Sequence, residues 1–377
     1  MFSPAGRRAV PASRQPRDAG RSAYYPLLPP ESRVMKIEVD CRYDFQQELR
    51  RECGLSGLPL YSEPANADVA DLVDEAFASA VLSESLPPEP DGLRVIIEPV
   101  WLAEPIVGGL DITLQVCSNG SQREYRQRFR TGRWYRDAQL RTLAYRGDST
   151  LGADETAYSM LLALRADRPA PWKLPPLQAP PIIEQELADC GVQSLLSGTL
   201  LADRPVLVNR QFVEDAIRRC MEADTNEAGG ALLGKLVRLK EPLPDVQTRI
   251  VTVLSASVDD ERHVGRALSL AFSPEALAQA AQIAELRGLG ETVQTVYHTH
   301  GWKNSCGRCN ESPDCPLAEC HPSLQDYQLL ETLFPSKTTL MPIAGRKLGE
   351  PGRRPVLQIH AWRGGQMQAI PWIRFAD

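Results

Sequence analysis

The run Tyr297-His298-Thr299-His300-Gly301 sets two histidines one residue apart, in a β-rich stretch that predicts a strand over 292–300. Alternate strand residues face the same side with Cα atoms roughly 6.5–7 Å apart, so both imidazoles can converge on one cation. A Ser323-Leu324-Gln325-Asp326 step follows at the start of a helical pattern. Upstream, Glu227 opens the stretch Glu227-Ala228-Gly229-Gly230-Ala231-Leu232-Leu233-Gly234. Hydrolytic zinc takes three protein ligands and keeps a fourth position for water, whose pKa it lowers toward about 7. His298, His300 and Asp326 are the expected three. Glu227 is the expected acid/base, taking a proton from the water and returning it to the leaving amine. Ser323 stands about one helical turn before Asp326, so its hydroxyl can donate to the oxygen that turns negative in a tetrahedral intermediate.

Each of these features has a plainer reading by itself. A lone His298 reads as an ordinary histidine, Ser323-x-x-Asp326 as a helix N-cap with an acidic third residue, and Gly229-Gly230 as a turn or close backbone packing. Their joint order, in matching strand and helix contexts, is what favours catalysis. Other chemistries fit less well. A zinc nucleobase deaminase needs His-x-Glu followed by Pro-Cys-x-x-Cys, whereas His300 takes the glutamate position and Ser305 precedes Cys306. No helical His-Glu-x-x-His and no Gly-rich phosphate loop ending in Gly-Lys-Ser/Thr occurs.

The order Glu, then His-x-His, then Ser-x-x-Asp resembles the JAMM motif of the JAB/MPN+ zinc metalloproteases. The surroundings agree: Glu227 to Leu236 is similar to the family's Glu-x-x-Gly-x-Leu-x-Gly stretch, Tyr297 precedes the first histidine, and Pro322-Ser323 resembles its Pro-Ser step. The resemblance covers 204–377. It implies zinc on His298, His300 and Asp326, Glu227 as acid/base and Ser323 as oxyanion donor. It also implies a ubiquitin-like protein or its conjugates as substrate, the flexible C-terminal tail lying beside a strand edge near the metal. Release of a small adduct from a sulfur-carrier-type protein is an alternative within the enzyme class. A non-catalytic MPN-type scaffold is the alternative outside it. Two departures stand out: Gly301 replaces the family's usual Pro, and the 25 residues between His300 and Asp326 exceed its usual spacing.

That insertion, 302–321, contains Cys306, Cys309, Cys315 and Cys320 in a hydrophilic loop with little apolar content of its own. Four thiolates around a second, structural zinc would order it, and His321 could replace one of them. The same loop fits a zinc-knuckle interaction module. The remaining cysteines, Cys41, Cys53, Cys117, Cys190 and Cys220, are scattered singly, as small buried hydrophobes are. Clustering without a recognisable signal peptide favours metal over disulfides and a cytoplasmic setting.

These groups need a scaffold, and the pattern around them predicts an α+β protein. Residues 1–32 carry Arg7, Arg8, Arg14, Arg17 and Arg21 with no apolar segment before Pro26, and read as a disordered tail. Residues 33–167 read as a separate small α+β domain: a strand at 34–39, a helix at 71–81, a strand at 93–97, and a hairpin of 110–116 with 125–134 around Asn119-Gly120. It carries no chemical motif, and on the resemblance it would recruit substrate or a conjugating-enzyme partner. Pro169, Pro171, Pro175, Pro176, Pro180 and Pro181 mark a linker over 168–203, followed by a short helical pattern near 184–196. The domain at 204–377 is expected to be a JAB/MPN-like mixed sheet flanked by helices. Its strands are expected at 206–208, 231–239, 248–258, 292–300, 338–343, 355–362 and 366–375. Its helices are expected at 211–221, 323–333 and from Ser273-Pro274-Glu275 to Gly288. No stretch approaches the roughly twenty apolar residues of a membrane span. The net charge of −6, with a basic tail, leaves an acidic body that argues against a nucleic-acid partner.

Overall fold

A computed structural model describes residues 35–51, 61–118, 121–130, 158–166, 174–196, 198–223, 227–260, 264–266, 269–300, 320–346 and 355–376, and these belong to one compact unit. The expected tail at 1–32 lies outside the described residues. So do Cys306, Cys309 and Cys315.

Two sheets dominate. The first is built from β1 (Lys36–Asp40), β2 (Asp44–Arg51), β3 (Tyr61–Pro64), β4 (Gly92–Ala103), β5 (Ile106–Ser118), β6 (Ser121–Arg130) and β7 (Tyr158–Ala166), in the order β1-β4-β5-β7-β2-β3 with β6 also on β5. Helix α1 (Asn66–Leu82) covers it. Val69, Leu72, Val73, Ala76, Phe77 and Ala80 recur at helical spacing and bury against Ile97, Leu110, Ile112, Leu114 and Phe129. Strands β2, β3 and β7 carry no assignment from sequence.

The second sheet carries the expected site. Its strands are β8 (Ile182–Glu184), β9 (Ser194–Leu195), β10 (Val206–Asn209), β11 (Gly229–Arg238), β12 (Ile250–Asp259), β15 (Thr292–Thr299), β16 (Leu340–Gly345), β17 (Val356–Arg363), β18 (Gln366–Ile370) and β19 (Ile373–Ala376). A separate hairpin joins β13 (Val264–Arg266) to β14 (Ser269–Ala271). The order is β18-β17-β16-β15-β11-β12-β10-β19-β9, with β8 on β11. Parallel and antiparallel pairs coexist, so the sheet is mixed as expected.

Alternation assigns the helices to opposite faces. Leu232, Tyr297, Leu340 and Ala344 pack with Phe212, Val213, Ala216 and Cys220 of α2 (Arg210–Ala223). Their neighbours Ala231 and Leu233 meet Ala280 and Ala284 of α3 (Pro274–Arg287), and Met341 and Ile343 meet Tyr327 and Leu330 of α4 (Leu324–Leu333). Helix α3 has the ends its sequence specifies: Ser273 Oγ accepts from Ala276 N, Pro274 is the first helical residue, and Gly288 closes it at φ 64°.

Two expected elements differ. The helical pattern at 184–196 forms only a 3₁₀ turn at Ala188–Cys190 between two short strands. Gly191 leaves it at φ 79°, and the chain is drawn onto β19 by Gln193 N donating to Ala376 O and Leu196 N to Arg374 O. The strand expected at 366–375 is two, because Pro371 has no N–H for a ladder; β18 pairs with β17, and β19 with β10.

The sheets meet through polar contacts. Glu75 of α1 accepts from the Gly365 N–H at the β17–β18 turn at 2.9 Å. Glu84 accepts from Arg249 N at 2.8 Å and Arg249 Nη2 at 2.7 Å, and Thr248 Oγ1 donates to Leu82 O at 2.6 Å. No described helix is long and apolar enough to cross a membrane.

Candidate metal centre

Three of the expected residues converge. The antiparallel register of β11 on β15 places Gly229 opposite His298, and the parallel register of β15 on β16 places His298 opposite Ile343. Tyr297 and Thr299 therefore turn toward α2, and His298 and His300 toward α4. Helix α4 begins there with a capping box: Ser323 Oγ accepts from Asp326 N at 3.3 Å, and Asp326 Oδ2 accepts from Ser323 N at 2.6 Å. The plain N-cap reading of Ser323-x-x-Asp326 is thus realised, and the same cap aims the Asp326 carboxylate at the histidines.

His298 Nε2 lies 3.2 Å from His300 Nε2 and 3.1 Å from Asp326 Oδ1, and His300 Nε2 lies 3.8 Å from Asp326 Oδ2. All three residues are buried. A tetrahedral ion with bonds of about 2.0–2.1 Å holds its ligand atoms about 3.3–3.4 Å apart, so the spacing and the donor set both fit a zinc-sized cation. Two imidazole nitrogens and a carboxylate packed this closely away from water also require a proton or a cation among them.

The electrostatics follow from that crowding. Burial opposes a charged His298, yet the Asp326 carboxylate beside it outweighs burial and raises its pKa. Burial likewise opposes the Asp326 charge, and the two imidazoles overcome it and hold the carboxyl well below the usual range. Glu227 is partly buried, which raises its pKa, while the fields of His298 and His300 act in the opposite direction. It stands two residues before Gly229, beside the histidine strand.

The glycines of the Glu227 stretch serve close packing. A Cβ on Gly230 would come within 2.4 Å of Val258 O, and one on Gly234 within 2.3 Å of Val253 O, so β11 can lie this close to β12 only without side chains there. Behind the site, Tyr297 is buried and donates to Asp259 Oδ1 at 2.8 Å; Asp259 also pairs with Arg219. Cys220 Sγ lies 3.4 Å from His300 O, and His300 N donates to Ala344 O at 2.8 Å. His360, with no expected role, is buried beside β16 with Nδ1 3.2 Å from Met341 O, and burial lowers its pKa to about 4.

Cys320, the last cysteine of the cluster, is buried among Tyr327, Leu330, Ile343 and Trp362, its thiol donating to Val356 O at 3.3 Å. Cys41, Cys190 and Cys220 are buried as expected; Cys117 is exposed. The residues that sequence reasoning passes over are Thr299, Ala228 and Cys220, whose hydrogen bonds run to or from the backbone and leave no motif.

No protein-family model and no curated protein matches the chain. Among solved structures, it is similar to the solution structure of protein DSY2949 from Desulfitobacterium hafniense, at 16% identity and a TM-score of 0.29, over 46% of this chain and 94% of that one. A likeness that weak carries no statement about fold or function.

Proposed function

We propose that the protein is a zinc-dependent hydrolase that cuts the peptide or isopeptide bond after the C-terminus of a ubiquitin-like protein. The observation that carries this reading is the buried convergence of His298 Nε2, His300 Nε2 and the Asp326 carboxylate beside Glu227. The substrate class comes from the resemblance of those residues to the JAMM motif. His298, His300 and Asp326 would hold the zinc, which when bound lowers the pKa of water toward about 7 and polarises a carbonyl.

The chain's own groups supply the rest. The Glu227 carboxylate receives a proton from the attacking water and passes it to the departing amine nitrogen, and its raised pKa brings it nearer the working pH at which such transfers are efficient. Ser323 Oγ accepts at the helix cap and keeps its own hydrogen to donate to the developing oxyanion. The Ser323 N–H holds Asp326 in one rotamer. On this reading the first sheet recruits the substrate or a conjugating-enzyme partner.

The test is cleavage of a ubiquitin-like protein carrying a C-terminal peptide or an isopeptide-linked lysine. Wild-type protein with added zinc should cut it. Glu227→Gln should lower kcat by about 10²–10⁴-fold while retaining zinc, and His298→Ala should lose both. Wild type and variants equally inert across a panel of such conjugates would leave the scaffold reading instead.

A further inference from the structure

The residue between the two histidines has a place of its own. Thr299 is fully buried, and strand alternation turns it away from the side where His298 and His300 converge. Beyond the Gly229–His298 pair, the register brings Ala228 opposite Thr299. In a regular antiparallel pair the two residues would exchange both backbone hydrogen bonds. One is regular: Thr299 N donates to Ala228 O at 2.7 Å. In the other, Ala228 N donates to Thr299 Oγ1 at 3.0 Å, so a side-chain hydroxyl stands in for a backbone carbonyl.

The β11–β15 register ends at the Gly229–His298 pair, while β15 keeps its other partner, with His300 N donating to Ala344 O of β16 and the Cys220 thiol against His300 O. The ladder therefore parts at Thr299, and its hydroxyl spans the gap to Ala228, the residue next to Glu227.

We propose that Thr299 is the positioning residue for Glu227, clamping the backbone of Ala228 so that the Glu227 carboxylate keeps its distance from the metal ligands; this rests on the hydrolase reading. Thr299 touches neither substrate nor metal in this role. It acts through one partly buried N–H, which Thr299→Val leaves without an acceptor at almost unchanged volume. Thr299→Ser keeps the acceptor.

The test combines two readouts on zinc-loaded full-length protein. Hydrogen exchange at the Ala228 amide should quicken in Thr299→Val and stay slow in Thr299→Ser. On a cleavable ubiquitin-like fusion, kcat should fall up to about 100-fold in Thr299→Val, the cost of a misplacement near 1 Å, with KM and zinc affinity unchanged, and should largely return in Thr299→Ser. Circular dichroism and zinc stoichiometry confirm that each variant is folded. Unchanged Ala228 exchange in Thr299→Val overturns the clamp. So does a loss of zinc affinity in step with kcat, because the hydroxyl would then serve the ligands. Inert wild type overturns the hydrolase reading alone, and the exchange result then decides the clamp by itself.

Discussion

Replacing Glu75 by Ala should unfold the protein more easily by about 3–5 kcal/mol, although Glu75 belongs to the first sheet and the site to the second. Its side chain is fully buried. One carboxylate oxygen accepts from Gln127 Nε2 at 3.1 Å, and the other from Gly365 N at 2.9 Å. Its charge also favours the charged form of Arg204, whose pKa burial pulls down to about 10; that guanidinium is spent on the carbonyls of Trp362 and Thr338. Truncation would strand the buried Gly365 N–H, at about 1–3 kcal/mol, and remove the acid that offsets the Arg204 charge. With the Gln127 amide also left without its charged acceptor, the loss comes to about 3–5 kcal/mol in all, a large part of a typical stability of about 5–15 kcal/mol. Urea unfolding followed by circular dichroism measures it. Glu75→Gln should lose less, and Arg204→Met added to Glu75→Ala should recover part of the loss, since no buried charge is then left alone. A change below about 1 kcal/mol in Glu75→Ala would refute the reasoning, because the contact would then be too hydrated to join the sheets.

Other outcomes follow from neighbouring groups. Burial, with Asp71 and Glu75 nearby, raises the Asp74 pKa from 3.8 to about 6 against the opposing field of Lys337. A carboxyl that binds its proton more tightly when folded loses stability as pH rises from about 4 through 6. The penalty reaches at most about 3 kcal/mol above that window. Asp74→Asn should therefore stabilise the protein at pH 7.5 and leave it nearly unchanged at pH 4 in thermal melts. At the metal centre, Asp326 outweighs burial and raises the His298 pKa, and a bound cation must displace that proton. Zinc affinity, measured by competition with a chromophoric chelator, should begin to weaken as pH falls while still above 6.5, the ordinary histidine value. An onset well below 6.5 would contradict the pairing.

Much of the second sheet was legible because its signals are local. Ser273-Pro274 and Gly288 fix both ends of α3, and Ser323 with Asp326 fixes the start of α4, each by satisfying backbone groups that any helix end leaves open. The alternation of β15 placed His298 and His300 on one face before any partner strand was known. What escaped depends on partners distant in sequence. β2 is polar, with Gln47 in a buried position, and β7 is rich in Leu and Ala; both are strands because they pair with each other across more than a hundred residues. The 3₁₀ turn at Ala188–Cys190 replaces a helix because β11 and β19 offer the flanking segments edge hydrogen bonds. In the site, the ligands were readable as residue types, whereas the Thr299–Ala228 bond requires knowing that β11 and β15 are neighbours.

The central claim is that one cation sits among His298, His300 and Asp326. Crystals of the full chain grown with zinc, measured on both sides of the zinc absorption edge, test it directly. The account predicts an anomalous peak about 2.0–2.2 Å from His298 Nε2, His300 Nε2 and an Asp326 carboxylate oxygen. A map with no peak there, or one in which these side chains turn away from one another, would contradict it.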